Sequence, residues 1–205
     1  MESHLSQSNG FARHLRKVDV HLRVLQRDDV SARYLEWFHD VQVSRYLELA
    51  QQPSTIQELR EYVQSCLDDA STVLFGIFQS STNTHIGNIK VGPRLDLHQT
   101  ASVGILIGDR NFWGRGFATT AIALASDWAF AEWSCVKLNA GCQAQNWASI
   151  AAFRRAGYRV EGWQADQVAT SGSADRSDVV LLGRTRDQSL SDETTWRSDF
   201  VGIEQ

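Results

Sequence analysis

The chain has 205 residues, of which 42% are hydrophobic and 21% charged, and its formal net charge is −4 at pH 7. This length suits one domain that can bury a proper core. The charge provides no overall basic field that would point to nucleic acid, and no apolar run reaches the ~18 residues of a membrane span. The opening residues, MESHLSQSNGFARHLRK, contain no apolar signal core. We therefore expect a cytoplasmic protein without a nucleic-acid or membrane partner.

The first part of the chain predicts one strand and two helices. In VDVHLRVLQ, residues 18–26, apolar side chains alternate, which is typical of a half-buried strand. A helix is expected to open at Asp28 and Asp29 and to continue through VSARYLEWFHD. A second helix follows in PSTIQELREYVQSCLDD, where Thr55 and Glu58 match a capping box.

The second part predicts the rest of a sheet and two further helices. Four segments and a closing pair have strand composition: TVLFGIFQ (72–79), HIGNIKVGP (85–93), ASVGILIG (101–108), VKLNAGCQ (136–143), and YRVEGWQADQVA with DVVLLGRTR. The polar spacer SSTNT indicates that the first two form an antiparallel hairpin. Helices are expected at about 117–133 and in NWASIAAFRRAGY, which has Asn146 as N-cap and Gly157 placed for a C-cap.

The resulting order, β α α β β β α β α β β, indicates a mixed α/β (α+β) domain rather than regular βαβ alternation. The domain is expected to span residues 16–187, between a flexible N-terminus at 1–15 and a C-terminal tail at 188–205.

Cysteine and histidine spacing does not predict a metal site. The cysteines, Cys66, Cys135 and Cys142, are odd in number and include no C-x-x-C pair. We expect them to be free thiols. The six histidines show no H-E-x-x-H or other ligand spacing. No metal is therefore expected.

The stretch RNFWGRGFATT has the features of an anion site at a helix start. Free backbone N–H groups and the positive end of the dipole lie there, and Gly114 and Gly116 would let the backbone approach a phosphate, with Arg115 adding charge. A tight turn that merely needs glycine is an equal alternative. A P-loop is excluded because no Gly-Lys pair occurs. A dinucleotide fingerprint is weak because Thr119 replaces the third glycine.

Two segments together resemble the GNAT N-acetyltransferase superfamily. WGRGFATTA resembles its acyl-CoA loop, (Gln/Arg)-x-x-Gly-x-(Gly/Ala), with Trp113 replacing the usual Gln or Arg. NWASIAAFRRAGY is similar to the superfamily's second motif, and LRVLQRDD and Trp-Gly-x-Gly-Phe-Ala-Thr resemble the RimJ/RimL-type branch. The resemblance covers about residues 18–186. It implies a mixed, mostly antiparallel twisted sheet of about six to seven strands flanked by about four helices.

The resemblance also implies a site for acetyl-CoA as co-substrate, without a metal. The CoA pyrophosphate would lie on the backbone N–H groups of residues 114–118, and the pantetheine arm would pair with the strand end at 106–108. Ser149 is a catalytic candidate because its hydroxyl would lie near the thioester sulfur. The implied CoA contacts are Leu106, Ile107, Gly108, Trp113, Gly114, Arg115, Gly116, Phe117, Ala118, Thr119, Asn146 and Phe153.

The proton-transfer groups are not assigned by the motifs. Phe153 stands where many GNAT enzymes place a tyrosine general acid, and Ser102 stands near the place of a common acidic residue. His98 is the first candidate because it lies in the loop before that strand and titrates near neutrality. Asp96, Asp109 and a water chain are the alternatives.

The amine pocket is expected between the first two helices, the hairpin and the last two strands. Its candidate residues are Trp37, Phe38, Phe75, Asn88 and Lys90. The chemistry implied is direct attack of a primary amine on the thioester in a ternary complex.

The acceptor is left between two classes. FGIF, HIGNIKVGP, IGD and WGRGFAT resemble bacterial members thought to acetylate amino-sugar nucleotides, whereas the RimJ/RimL resemblance implies protein N-termini. A homodimer is expected. Two other readings stay open: a non-catalytic acyl-CoA-binding module, and another nucleotide-binding domain that prefers NAD or ATP.

Overall fold

A computed structural model describes residues 18–47, 53–169 and 175–187. The predicted tails at 1–15 and 188–205 lie outside the described residues, as does most of the turn between the last two strands. No helix of the described part is long and apolar enough to span a membrane.

Seven strands form one sheet, as the sequence predicts. The strands are β1 (Val20–Val24), β2 (Val73–Gln79), β3 (Thr84–Leu95), β4 (Thr100–Ile107), β5 (Lys137–Gln143), β6 (Arg159–Ala169) and β7 (Arg176–Thr185). Their spatial order is β1-β2-β3-β4-β5-β7-β6, and every pairing is antiparallel except that of β4 with β5. The predicted hairpin of β2 and β3 is confirmed.

Five α-helices occur in the described residues, one more than the sequence predicts. They are α1 (Ala32–His39), α2 (Val41–Ser44), α3 (Ile56–Asp68), α4 (Phe117–Glu132) and α5 (Trp147–Arg155). The extra helix is α2, a single turn that begins where the Asp40 side chain accepts a hydrogen bond from the Gln42 N–H.

The predicted helix start at Asp28 and Asp29 is wrong. These residues belong to a separate 3₁₀ turn, in which the Asp29 carboxylate accepts from the Gln26 N–H at 2.7 Å. Helix α1 begins after Ser31, whose hydroxyl accepts from the Tyr34 N–H at 3.2 Å. Two adjacent capping signals therefore divide one apolar stretch into two pieces.

The helices cover the two faces of the sheet with separate clusters. On one face α4 and α5 pack against odd-numbered residues of the central strands, such as Phe75 and Ile89. On the other face α1 and α3 pack against Leu74 and Phe78. Because alternate strand residues face opposite ways, β3 supplies Asn88 and Lys90 to the α1–α3 side.

The parallel contact between β4 and β5 is short. It pairs Thr100 with Lys137, Ala101 with Leu138 and Ser102 with Asn139, and there it ends. Strand β4 then continues along β3 as far as Ile107, while β5 continues along β7 as far as Gln143. The two strands therefore separate in the middle of the sheet, and the opening between them defines the site.

Candidate active site

A cavity of about 370 Å³ occupies the opening between β4 and β5. It begins under α1–α3 and passes through the sheet to the start of α5. Its wall on the helical side consists of Tyr34, Phe38, Tyr46, Leu47 and Tyr62. The sheet contributes Leu74, Asn88, Lys90, Gly92, Ser102, Val103, Gly104, Ile105 and Leu106. The far side consists of Gly141, Cys142, Gln143, Asn146, Ser149 and Phe153. One cavity thus contacts both faces of the sheet.

The glycine loop at the end of β4 has the geometry of an anion cradle. Gly114 and Gly116 have φ angles of 68° and 90°, a region that favours glycine. Gly116 is the N-cap of α4. The first N–H groups of this helix have no partner within the helix and point out of its start, where the dipole is positive. Both positions therefore require glycine for their backbone conformation.

Trp113 braces the loop, a role that the sequence did not predict. Its indole Nε1 donates to the Ile107 carbonyl at 2.7 Å. The Arg115 guanidinium also bonds within the loop, donating to the Asn111 carbonyl at 3.2 Å. The Asp109 carboxylate caps the turn Arg110–Phe112 through the Asn111 N–H. These bonds hold the glycine loop in place between the end of β4 and the start of α4.

The start of α5 forms the far wall. The Asn146 side chain accepts from the Ser149 N–H at 3.2 Å, so the predicted N-cap is confirmed. The Ser149 hydroxyl lies 3.3 Å from the Cys142 Sγ atom. Tyr46 reaches across from the opposite side and donates its hydroxyl to the Gln145 carbonyl at 3.2 Å. Hydroxyl, amide and thiol groups therefore meet at this wall.

Asn88 is held by His85 on the helical side. The His85 Nε2 atom lies 2.9 Å from both the Gly87 carbonyl and the Asn88 Oδ1 atom. Because a carbonyl oxygen only accepts, Nε2 carries the hydrogen, and Asn88 keeps its amide nitrogen as a donor. Burial lowers the pKa of His85, and the bonds to Asn88 and Gly87 act in the opposite direction.

The family follows from a comparison with known proteins. Residues 19–159 match the model of the acetyltransferase (GNAT) domain, which is more than half of the chain. The chain belongs to the GNAT acetyltransferase family. It is accordingly an acyltransferase, and its fold agrees with the expectation from the two sequence motifs.

Curated GNAT relatives are bacterial and span most of this chain. A probable N-acetyltransferase, YjcK of Bacillus subtilis (strain 168), is 27% identical over 150 residues, covering 73% of this chain and 80% of that protein. An uncharacterized N-acetyltransferase, p20 of Bacillus licheniformis, is 24% identical over 155 residues, covering 74% and 85%. Both are N-acetyltransferases by name, and neither name states an acceptor.

Solved GNAT structures show the same architecture. Spermidine N-acetyltransferase from Vibrio cholerae, in complex with CoA and spermine, superposes with a TM-score of 0.72 at 20% identity, covering 82% of this chain and 95% of that one. A probable acetyltransferase superposes with a TM-score of 0.71 at 22% identity, covering 82% and 93%. At this identity the likeness concerns the fold alone.

The structure brings some of the expected GNAT site residues to the cavity and places the glycine loop at the start of α4. Asn88, Lys90 and Phe38 lie on the helical side, and Leu106, Asn146, Ser149 and Phe153 complete the wall. Gly114–Thr119 form the start of α4 and the turn before it. The cavity tyrosines were missed: Tyr34 and Tyr62 share the apolar stripes of α1 and α3 with core residues, and Tyr46 follows α2 in a turn.

Two expected acceptor residues lie in the core instead. Trp37 is 5% exposed and packs beside Gly108. Phe75 is 2% exposed, and its ring centre lies 5.0 Å from that of Trp128 in an edge-to-face arrangement. Phe75 faces α4, on the opposite side of the sheet from Asn88. The apolar periodicity of their elements did not separate these two rings from pocket residues.

His98 is not brought to the cavity. It is exposed in the turn before β4, at the end of that strand where Thr100 still pairs with Lys137. The fallback acids are also committed elsewhere: Asp96 forms an ion pair with Arg94, and Asp109 pairs with Arg33 and caps a turn. Among the described residues, no group of histidine, cysteine and acidic side chains could hold a metal ion.

The His85→Phe variant is expected to lose less unfolding free energy than the parent protein when the pH is lowered. The depressed pKa of His85 means that the unfolded chain takes up the proton first, near its ordinary pKa of about 6.5. Stability contributed by neutral His85 is thus present above about pH 6.5 and is lost as the pH falls. Urea unfolding at pH 7.5 and pH 5.5 measures the difference.

The matched control for this variant is His98→Phe, because His98 is exposed in its turn. Its free energy of unfolding should differ between pH 7.5 and pH 5.5 by as much as that of the parent protein. Phenylalanine at position 85 preserves the stacking on Phe78, whose ring lies 4.9 Å away. An undiminished pH dependence in His85→Phe would show that the groups around this ring, Asp29 and Arg23 included, offset its burial.

Proposed function

We propose that the protein transfers an acetyl group from acetyl-CoA to a primary amine by direct attack in a ternary complex. The proposal rests on a cavity that joins the α5 side of the sheet to the α1–α3 side. A donor bound on one side and an amine bound on the other would meet in the opening between β4 and β5. Holding two reactants in line supplies much of the acceleration in such a reaction.

The donor half fits acetyl-CoA, which supplies the acetyl thioester. Residues 114–119 offer the helix-start N–H groups for the pyrophosphate, as the sequence resemblance implies. Beyond Ser102, the edge of β4 that faces the opening has no pairing to β5, so its backbone groups are available to the pantetheine arm. The odd-numbered residues of β4 face the opening, because the Gln99 carbonyl just before the strand accepts from the Val136 N–H on that side. The Ile107 carbonyl is taken by Trp113, which moves this pairing toward Val103 and Ile105.

The reacting groups are proposed from the same wall. The backbone N–H of Ile107, at the end of β4, would stabilise charge on the carbonyl oxygen. The Ser149 hydroxyl would donate to the leaving sulfur, since Phe153 has no hydroxyl. Burial raises the pKa values of Tyr34 and Tyr62, so these stay protonated and act as donors rather than bases. Water in the open cavity then carries away the amine proton.

An amino-sugar nucleotide is the proposed acceptor, on the resemblance of the β2–β4 segment to bacterial enzymes of that kind. A protein N-terminus is the alternative that the RimJ/RimL resemblance favours. The Vibrio neighbour is named for spermidine, which adds polyamines to the acceptors worth testing. A related structure of that enzyme is named dodecameric, and we keep the homodimer as a prediction for this chain.

The test is calorimetric titration with acetyl-CoA, with NAD as the control ligand, followed by CoA release with a panel of amines. We expect saturable binding of acetyl-CoA alone and turnover with at least one amine class. Binding without turnover of any amine would favour the non-catalytic module. Binding of NAD in preference to acetyl-CoA would refute the proposal.

A further inference from the structure

The charge on the acceptor side of the cavity is positive. Of the described residues that line the cavity, none is an aspartate or glutamate, and Lys90 is a cation on the wall. Arg45 precedes the lining residue Tyr46 and has its guanidinium 5.1 Å from the centre of the Tyr46 ring. The Asn88 amide and the Tyr34 and Tyr62 hydroxyls also belong to this wall. This is the complement of an anion.

Lys90 has no ion-pair partner within 4.0 Å among the described residues. The carboxylate that feels its charge is Asp69, which lies outside the cavity lining. Asp69 is held by Ser71, whose N–H and hydroxyl donate to it at 2.9 and 2.7 Å. A partly buried ammonium group usually has an anionic partner. Since the described residues offer Lys90 no ion pair, its ammonium group is available to a ligand.

We propose that the acceptor is an amine that also carries a carboxylate or phosphate, and that Lys90 binds this anionic group and determines specificity. This inference rests on the proposed acetyl transfer. A polyamine would place a second cation beside Lys90 and Arg45 without a carboxylate on the described wall to offset it. We therefore expect a preference for anionic amines, whereas the structural neighbour from Vibrio cholerae is named for spermidine, a polyamine.

The experiment compares amines that differ by the anionic group alone. Ornithine is paired with putrescine, and glucosamine 6-phosphate with glucosamine, so that the two pairs separate carboxylate from phosphate recognition. We expect kcat/KM to favour the anionic member of at least one pair on the order of 10-fold or more. Calorimetric affinity in the presence of CoA is the second readout, which reports the preference even without turnover.

Substitutions at Lys90 assign that preference to the residue. Lys90→Met should reduce the ratio between the paired amines on the order of 10-fold, and Lys90→Arg should retain most of it. Lys90→Glu should reverse the order and favour putrescine. The matched control is Lys137→Met, which removes a lysine from a partly exposed pair with Glu161 outside the cavity. Its ratio should equal that of the parent.

Three results would overturn the inference: no preference for either anionic amine in rate or affinity, a preference for polyamines, or a ratio that Lys90→Met leaves unchanged. Each differs from failure of the proposed function. If the proposed acetyl transfer itself fails, acetyl-CoA does not bind in calorimetry and no amine of any charge releases CoA. The paired amines and acetyl-CoA are titrated separately, so the two failures have different signatures.

Discussion

Replacing Gly116 by valine is expected to weaken acetyl-CoA binding by a factor on the order of 100 or more while the protein stays folded. Gly116 has φ = 90°, and a Cβ atom there would lie 3.2 Å from Val18 Cγ2. A β-branched residue in this conformation costs about 1–3 kcal/mol. The helix start must then rotate, and the N–H groups of Phe117 and Ala118 lose their common direction. Calorimetric titration with acetyl-CoA measures the loss.

The control for this variant is Gly162→Ala in β6. A Cβ atom at Gly162 would meet nothing closer than Leu181 Cδ1 at 3.7 Å, and the glycine loop is elsewhere in the fold. Its affinity for acetyl-CoA should be that of the parent. A folded Gly116→Val protein with unchanged affinity would mean that the glycines serve the turn alone, and the phosphate cradle would have to be abandoned.

Gly108→Ala is expected to cost about 3 kcal/mol of unfolding free energy, at the upper end for overpacking. The added Cβ would lie 1.9 Å from Trp37 Cδ2. The indole cannot move away easily, because it packs between Tyr34 and His85 with ring centres 5.1 and 4.9 Å distant. For a chain of this length the melting temperature should fall by roughly 6–12 °C.

A double-mutant cycle with Trp37→Leu tests the cause. Removing the ring should make Gly108→Ala cheaper by at least about 1 kcal/mol in urea unfolding. Gly104 lies in β4, four residues before Gly108, and a Cβ atom there would meet no atom within 4 Å. Gly104→Ala should therefore stay within about 0.5 kcal/mol of the parent. Equal costs of Gly108→Ala with and without the indole would show that Trp37 is not the obstacle.

Local signals in the sequence predicted the parts of the site that depend on local backbone geometry. The Gly114–Gly116 turn and the Asn146 cap need particular residue types at one position, and the structure has them there. Alternation along β3 likewise places Asn88 and Lys90 on one face.

The sequence did not distinguish core residues from cavity residues where the difference depends on packing between distant segments. Trp37 and Phe38 are neighbours on α1, yet Trp37 packs against Gly108 and Phe38 reaches the cavity. His98 is close to β4 in the chain, but it precedes the paired end of that strand rather than the open one. The role of Trp113 depends on a bond back to Ile107, six residues earlier, which no motif encodes.

The bond from Tyr46 to the Gln145 carbonyl has a consequence for the size of acceptor that the protein admits. It ties the helical side of the cavity mouth to the loop before α5, and a single neutral hydrogen bond contributes about 1 kcal/mol. At any moment the bond is therefore broken in roughly one molecule of six. The width of the entrance is a fluctuating quantity, so a bulky acceptor is limited by how frequently the entrance widens rather than by the volume at rest.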